Sequence, residues 1–118
     1  GLTSQFHTAP AGAANGLLIA SRDTLEPARD TSPFHDDPRL DRRWLDVRAP
    51  ELDLRITGVH IPDAARSDHH ALARKSLYWR RLLDTTASPE TQRRIIVGDF
   101  NTGRHRLDEP GSTFTRPR

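Results

Sequence analysis

The chain has 118 residues, of which 34% are hydrophobic and 29% charged, with mean hydropathy −0.73 and a formal net charge of +2. That suffices for one small domain with a modest core and is too little for two. No apolar run approaches a membrane span, residues 1–21 lack the basic start and long apolar middle of a signal peptide, and the absence of cysteine excludes disulfides and thiolate metal sites.

A soluble protein follows, with the cytoplasm as the default compartment and secretion still open. The positive charge comes from 17 arginines and a single lysine, Lys75. Arginine's planar fork suits phosphate, although arginine richness can equally reflect codon composition. There is no methionine, and the closing "GSTFTRPR" carries no signal that would finish a domain, so the chain reads as part of a larger fold.

In chain order, "SQFH" and "GLLIA" read as the two arms of a hairpin, with Asn15-Gly16 as its turn signal. Residues 23–43 hold three prolines and many charges without a sustained period, which predicts a loop or a long hairpin excursion. "RWLDVRA" and "LDLRITGVHI" are two strands separated by "PE". In the second, Leu52, Leu54 and Ile56 alternate with polar residues and Gly58 and His60 continue the phase, so His60 ends a core-facing row. Ser67 can cap a helix running to about Asp84 with Leu72, Trp79, Leu82 and Leu83 as its apolar stripe. "RRIIVGD" then reads as a strand buried on both faces, which implies a layered α/β domain with polar groups gathered at the strand exits.

The exit of that last strand is "GDFN". A carboxylate leaving a buried strand is held rigidly, as a general base or metal ligand must be. On an extended backbone Asn101 shares a face with Asp99, so the pair offers an acceptor and a neutral donor to one space while Phe100 turns into packing. The plainer alternative is a strand-to-loop turn in which Asp99 and Asn101 only bond nearby backbone amides. His60 ends another strand and converges with Asp99 if the two strands are neighbours; otherwise it is a hydrogen-bonded structural histidine. His69 and His70 are adjacent, a poor chelating geometry on a helix, and read as solvated first-turn residues. Asp36, Asp37 and Asp41, interleaved with Arg39, Arg42 and Arg43, read as a solvated loop with local ion pairs and without calcium-site spacing. Trp44 and Trp79 read as packing residues. "DEPGSTF" is a turn with a returning apolar residue that could reach a substrate beside Asn101.

"IIVGDFNTG", preceded by "ALARKSLYWRRLLD" and by a strand ending "ITGVHIP", resembles the endonuclease/exonuclease/phosphatase superfamily of metal-dependent phosphoesterases. "NGLLIASR" and "FHDDPRLDRRWLDVRA" resemble its recurrent strand and the hairpin that follows, and "GDFNTGRHRLDEPGSTF" is closest to the exonuclease III-like branch. The resemblance covers most of the chain in the right order. It implies an α/β fold of the deoxyribonuclease I-like kind, a four-layered α/β/β/α sandwich, with residues 1–118 as the central part of a single domain lacking its N- and C-terminal portions.

It implies hydrolysis of a phosphoester, most readily in DNA, by a monomer using Mg2+ or Mn2+. Asp99 would orient or deprotonate the attacking water, Asn101 would contact the phosphate, and His60 would lie near the leaving oxygen, where abasic-site enzymes tend to have tyrosine. The family's metal-binding glutamate and its closing aspartate-histidine pair find no match in the chain, so the polypeptide alone is expected to be inactive; Asp99 remains a possible metal ligand. An inositol phosphate or lipid phosphatase of the same superfamily is the alternative substrate class. Arg66, Arg74, Arg80 and Arg81, on or near the helix, are expected to face solvent away from the site.

Two rivals stand beside this reading. Asp68-x-His70 with a later Gly98-Asp99 suggests a calcineurin-like two-metal phosphoesterase, but no G-N-H follows and the D-x-H opens a helix rather than closing a strand. A non-catalytic binding module could keep the scaffold without the chemistry.

Overall fold

The computed structural model describes residues 1, 3–8, 16–28, 32–65, 67–87 and 93–102. The Asn15 turn, Arg66 and the "DEPGSTF" segment lie outside the described residues. The fold is mixed α/β. Strands β1 (Ser4–His7) and β2 (Leu18–Ser21) form an antiparallel pair, and β3 (Glu26–Pro27), β4 (Trp44–Ala49), β5 (Leu54–His60) and β6 (Arg93–Asp99) form a second sheet in that order. β4 is antiparallel to both β3 and β5, whereas β6 runs parallel to β5. Parallel neighbours need a crossover, and helix α2 (His69–Ala87) supplies it. Among the described residues no helix is long and apolar enough to cross a membrane.

The link between β4 and β5 is tighter than two strands meeting at "PE". Residues Pro50–Leu52 make a single 3-10 turn and Asp53 takes a left-handed φ of 47°, which reverses the chain. Leu52 therefore leaves the strand row and is 52% exposed. The segment before β4 is also more structured than a loop. Asp37 caps the one-turn helix α1 (Pro38–Asp41) by accepting a hydrogen bond from the Arg39 amide at 3.0 Å, and Pro38 starts it where no amide is needed.

Two clusters form the core, one on each face of the main sheet. Phe6 and Ile19 of the hairpin pack on Leu25, Val47, Ala49, Leu54 and Ile56. On the other face Phe34, Leu40, Trp44, Val59, Ile61, Tyr78 and Leu82 close together. Phe34 stacks on Tyr78 with ring centroids 4.4 Å apart and meets Trp44 edge-on at 6.1 Å. Fully burying an aromatic of this size contributes about 1.5–3 kcal/mol. The proline-rich excursion thus supplies three core residues, Leu25 to one cluster and Phe34 and Leu40 to the other.

Both long elements differ from their expected faces. α2 is capped by Asp68 rather than Ser67, because the Asp68 Oδ1 reaches the Ala71 amide at 2.9 Å. Its buried positions are Ala71, Tyr78 and Leu82, while Leu83 is 59% exposed. Leu83 follows Leu82 by about 100° around the helix, so both cannot face one sheet. β6 is not buried on both faces: Ile95 is 48% and Val97 46% exposed. The hairpin packs over β4 and β5, so the described structure covers β6 only on its helix side, where Ile96 joins the core. The strand buried on both faces is β5.

Tyr78 is the chain's single tyrosine, and burial pushes its phenol well above the ordinary value of 10.0. Its hydroxyl donates to the Arg43 carbonyl at 2.6 Å. Because the folded state holds this proton more tightly than the unfolded chain, the contribution is complete below pH ~10 and is lost as pH rises toward the folded value. Alkaline titration of phenolate absorbance should therefore show one late transition coincident with loss of structure. Tyr78→Phe should abolish that transition while lowering stability by about 1 kcal/mol. Early ionisation without unfolding would count against it.

Candidate active site

The parallel register of β5 and β6 pairs His60 with Asp99. Register partners on adjacent strands share a face of the sheet, so both side chains leave the tips of their strands on the same side. His60 is half-buried and Asp99 exposed. The carboxyl ends of parallel strands are where open α/β sheets collect polar groups.

Gly98 permits this closeness. Its φ is +146°, and a Cβ there would stand 1.8 Å from the Val59 carbonyl oxygen, inside any allowed contact. Beyond it the Ile61 amide donates to the Asp99 carbonyl at 2.9 Å, holding the exit of β5 to the end of β6.

Asn101 does not continue the strand. Its φ is +45°, and its backbone amide donates to Asp99 Oδ1 at 2.9 Å, a tight turn built on the aspartate side chain. The expectation that Asn101 shares a face with Asp99 on extended backbone is corrected by this turn. The Asn101 Nδ2 instead donates to the Ile61 carbonyl at 2.8 Å. Lys75 on α2 donates to the Asn101 carbonyl, and Phe100 stacks on Trp79 with centroids 5.9 Å apart. Lys75 entered the sequence reading only as a lone lysine among arginines. Its place three residues before the buried Tyr78, on the sheet-facing side of the helix, could have pointed to it.

His60 and Asp99 thus stand side by side in register, and the Asp99 and Asn101 side chains are each tied to neighbouring backbone. One Asp99 oxygen is engaged by the turn, and the other has no partner among the described residues. Asn101 keeps one amide N–H free after bonding Ile61. His60 is fixed through its backbone, its amide donating to the Arg43 carbonyl at 3.0 Å and its carbonyl accepting from Arg43 Nη1 at 3.4 Å. Its imidazole bonds no described residue. Asp99 is exposed and His60 and Asn101 are half-buried, and none of the three lines the cavity beside Asp46 or the one beside Arg43. Such an arrangement offers a carboxylate oxygen to a water, an amide donor to an anionic oxygen, and an imidazole for proton transfer.

A magnesium ion prefers near-octahedral oxygen ligation with one or more carboxylates. Among the described residues no three histidine or acidic side chains meet to hold a metal ion, so Asp99 alone does not compose such a site. His69 and His70 are exposed at the start of α2, and Asp68 is occupied as its cap, which leaves the D-x-H pair no shared ligand geometry. Comparison with protein-family models, with curated proteins and with solved structures found no match.

Proposed function

We propose that the chain carries part of the catalytic apparatus of a metal-dependent phosphoester hydrolase of the deoxyribonuclease I-like, four-layered kind, acting on DNA. The observation that supports it most is the register pairing of His60 with Asp99 at the tips of parallel strands, with Asn101 held beside them. Asp99 accepts a proton from the attacking water, Asn101 presents its remaining amide N–H to a phosphate oxygen, and His60 serves the leaving oxygen. Magnesium or manganese enters through the sequence resemblance alone; no step above is routed through it, since the described residues do not compose its site.

A non-catalytic module is favoured by one observation. Asp99 and Asn101 both bond neighbouring backbone, so each has a structural task already. Asp99→Asn separates the two readings, because an amide oxygen still accepts from the Asn101 amide but cannot take a proton. In the polypeptide carried along its reading frame on both sides, magnesium-dependent DNA cleavage should fall about 10²–10⁴-fold in this variant with the thermal midpoint kept. Undiminished turnover removes Asp99 from the chemistry, and preference for an inositol phosphate over DNA moves the substrate class.

A further inference from the structure

A second cluster sits on the helix side of the same sheet end. Arg39 and Arg42 from α1 and its exit, Arg43 before β4, and Arg74 on α2 line a cavity of about 260 Å³ with Asp63 and the side of Leu40. Two segments of chain, residues 39–43 and helix α2, bring these four arginines around one space, and a third supplies Asp63. Their summed formal charge with Asp63 is +3, from four arginines less one aspartate.

Two arginines outside the cavity find carboxylates: Arg55 pairs with Asp46 at 2.8 Å, and Arg81 pairs with Asp36 and donates to the Pro33 carbonyl. The four around the cavity do not, and they differ from other unpaired arginines in being gathered at one space. Asp63 accepts from the Ala64 amide, Asp37 is taken by the helix cap, and none of the four arginines has an ion pair among the described residues. Arg42 donates to the Pro38 carbonyl and Arg43 to that of His60, whereas the Arg39 and Arg74 side chains are exposed and bond nothing described. Arg74 is exposed, as the helix pattern implied, and it lines this cavity.

We infer that this cavity is a phosphate-binding site for the backbone of a nucleic acid. Arginine stays charged at every physiological pH, and its fork engages phosphate oxygens in pairs. The space is smaller than the about 300–1,000 Å³ of a pocket for a drug-sized apolar ligand, and its wall is cationic rather than aromatic. Arg43 lines the cavity and also bonds the backbone of His60, so the cavity adjoins the His60–Asp99 edge. A ligand with phosphates repeated along a chain can seat one here and present another at that edge, which a lone phosphate group cannot do. The choice of DNA rests on the proposed function; the anion site does not, and it is tested by affinity rather than turnover.

The test is fluorescence anisotropy of the 118-residue chain with a short labelled oligodeoxynucleotide, single-stranded and duplex, over a range of salt. Arg39→Ala/Arg74→Ala should weaken binding about tenfold or more and reduce the salt slope by about two. Arg48→Ala/Arg80→Ala removes the same charge from exposed positions off the cavity and should weaken it less than about threefold. Both variants should keep the wild-type thermal midpoint, and Arg74→Glu should reproduce the loss. Equal losses in the two double variants would reduce the effect to net charge and overturn the site. Absence of oligonucleotide binding at low salt, with inorganic pyrophosphate bound and lost in the cavity variant, would overturn the nucleic-acid assignment in favour of a small phosphoester.

Discussion

Asp46→Ala should cost about 3–5 kcal/mol, enough to unfold much of a domain this size at room temperature. The Asp46 side chain is 1% exposed and that of Arg55 11%, and two bonds of 2.9 and 2.8 Å run from the guanidinium to one carboxylate oxygen. Thr57, fully buried, donates to the other oxygen at 3.2 Å. Removing the acid takes from the buried Arg55 guanidinium the carboxylate that bonds it twice, and breaking such a pair from one side costs more than the intact pair contributes net. Asp46→Ala/Arg55→Leu should accordingly recover most of the loss. A remaining deficit of about 1 kcal/mol is expected from the Thr57 hydroxyl left without its acceptor. Urea unfolding midpoints read both results. A double variant no more stable than Asp46→Ala would show that the pair's geometry, rather than the guanidinium's loss of its carboxylate, carries the effect.

That pair also shows what a single sequence hides. In "RWLDVRA" and "LDLRITGVHI" the charged residues fall on the face opposite the Leu54–Ile56 row, where an amphipathic strand would place solvated side chains. The register sets Asp46 opposite Thr57, with Arg55 on the diagonal, and all three are buried. Alternation reveals the strands but not whether a second layer lies on the polar face. The same gap explains β6: three β-branched residues specify extended chain, but the reach of the hairpin decides that Ile95 and Val97 stay open.

Local signals fared best where one residue sets the geometry, and less well where two compete. The β4 and β5 strands and α2 follow directly from such signals. At the helix start Ser67 and Asp68 can both cap, and only the position of the Ala71 amide selects the aspartate. For the candidate site, the phase that put His60 at a strand tip and the glycine before Asp99 were legible. The left-handed turn at Asn101 was not, although asparagine tolerates that conformation better than most residues and two polar residues in "DFN" invite it. The Lys75 contact needed the packing of α2 on the sheet.

Gly98→Ala should destabilise the protein by about 3 kcal/mol and disorder the His60–Asp99 edge together with it. The backbone at Gly98 lies in a region that L side chains rarely adopt, and the added methyl would meet the Val59 carbonyl oxygen at 1.8 Å, its carbon at 2.8 Å and the Val59 amide nitrogen at 3.0 Å. None of these is the movable end of a side chain, so relief requires β6 to part from β5. The first bond lost is that from the Ile61 amide to the Asp99 carbonyl, and the bond from Asn101 Nδ2 to the Ile61 carbonyl depends on the same approach. Amide exchange should therefore accelerate at Ile61 and Asn101 more than at Val47 on β4, a strand that does not pair with β6. Uniform acceleration would mean that the variant only lowers global stability, and unchanged exchange would mean that the strand tips are not held by this glycine. Because the edge is positioned through backbone contacts, the variant should lose any phosphoester chemistry at Asp99 even though no side chain of the candidate site has been altered.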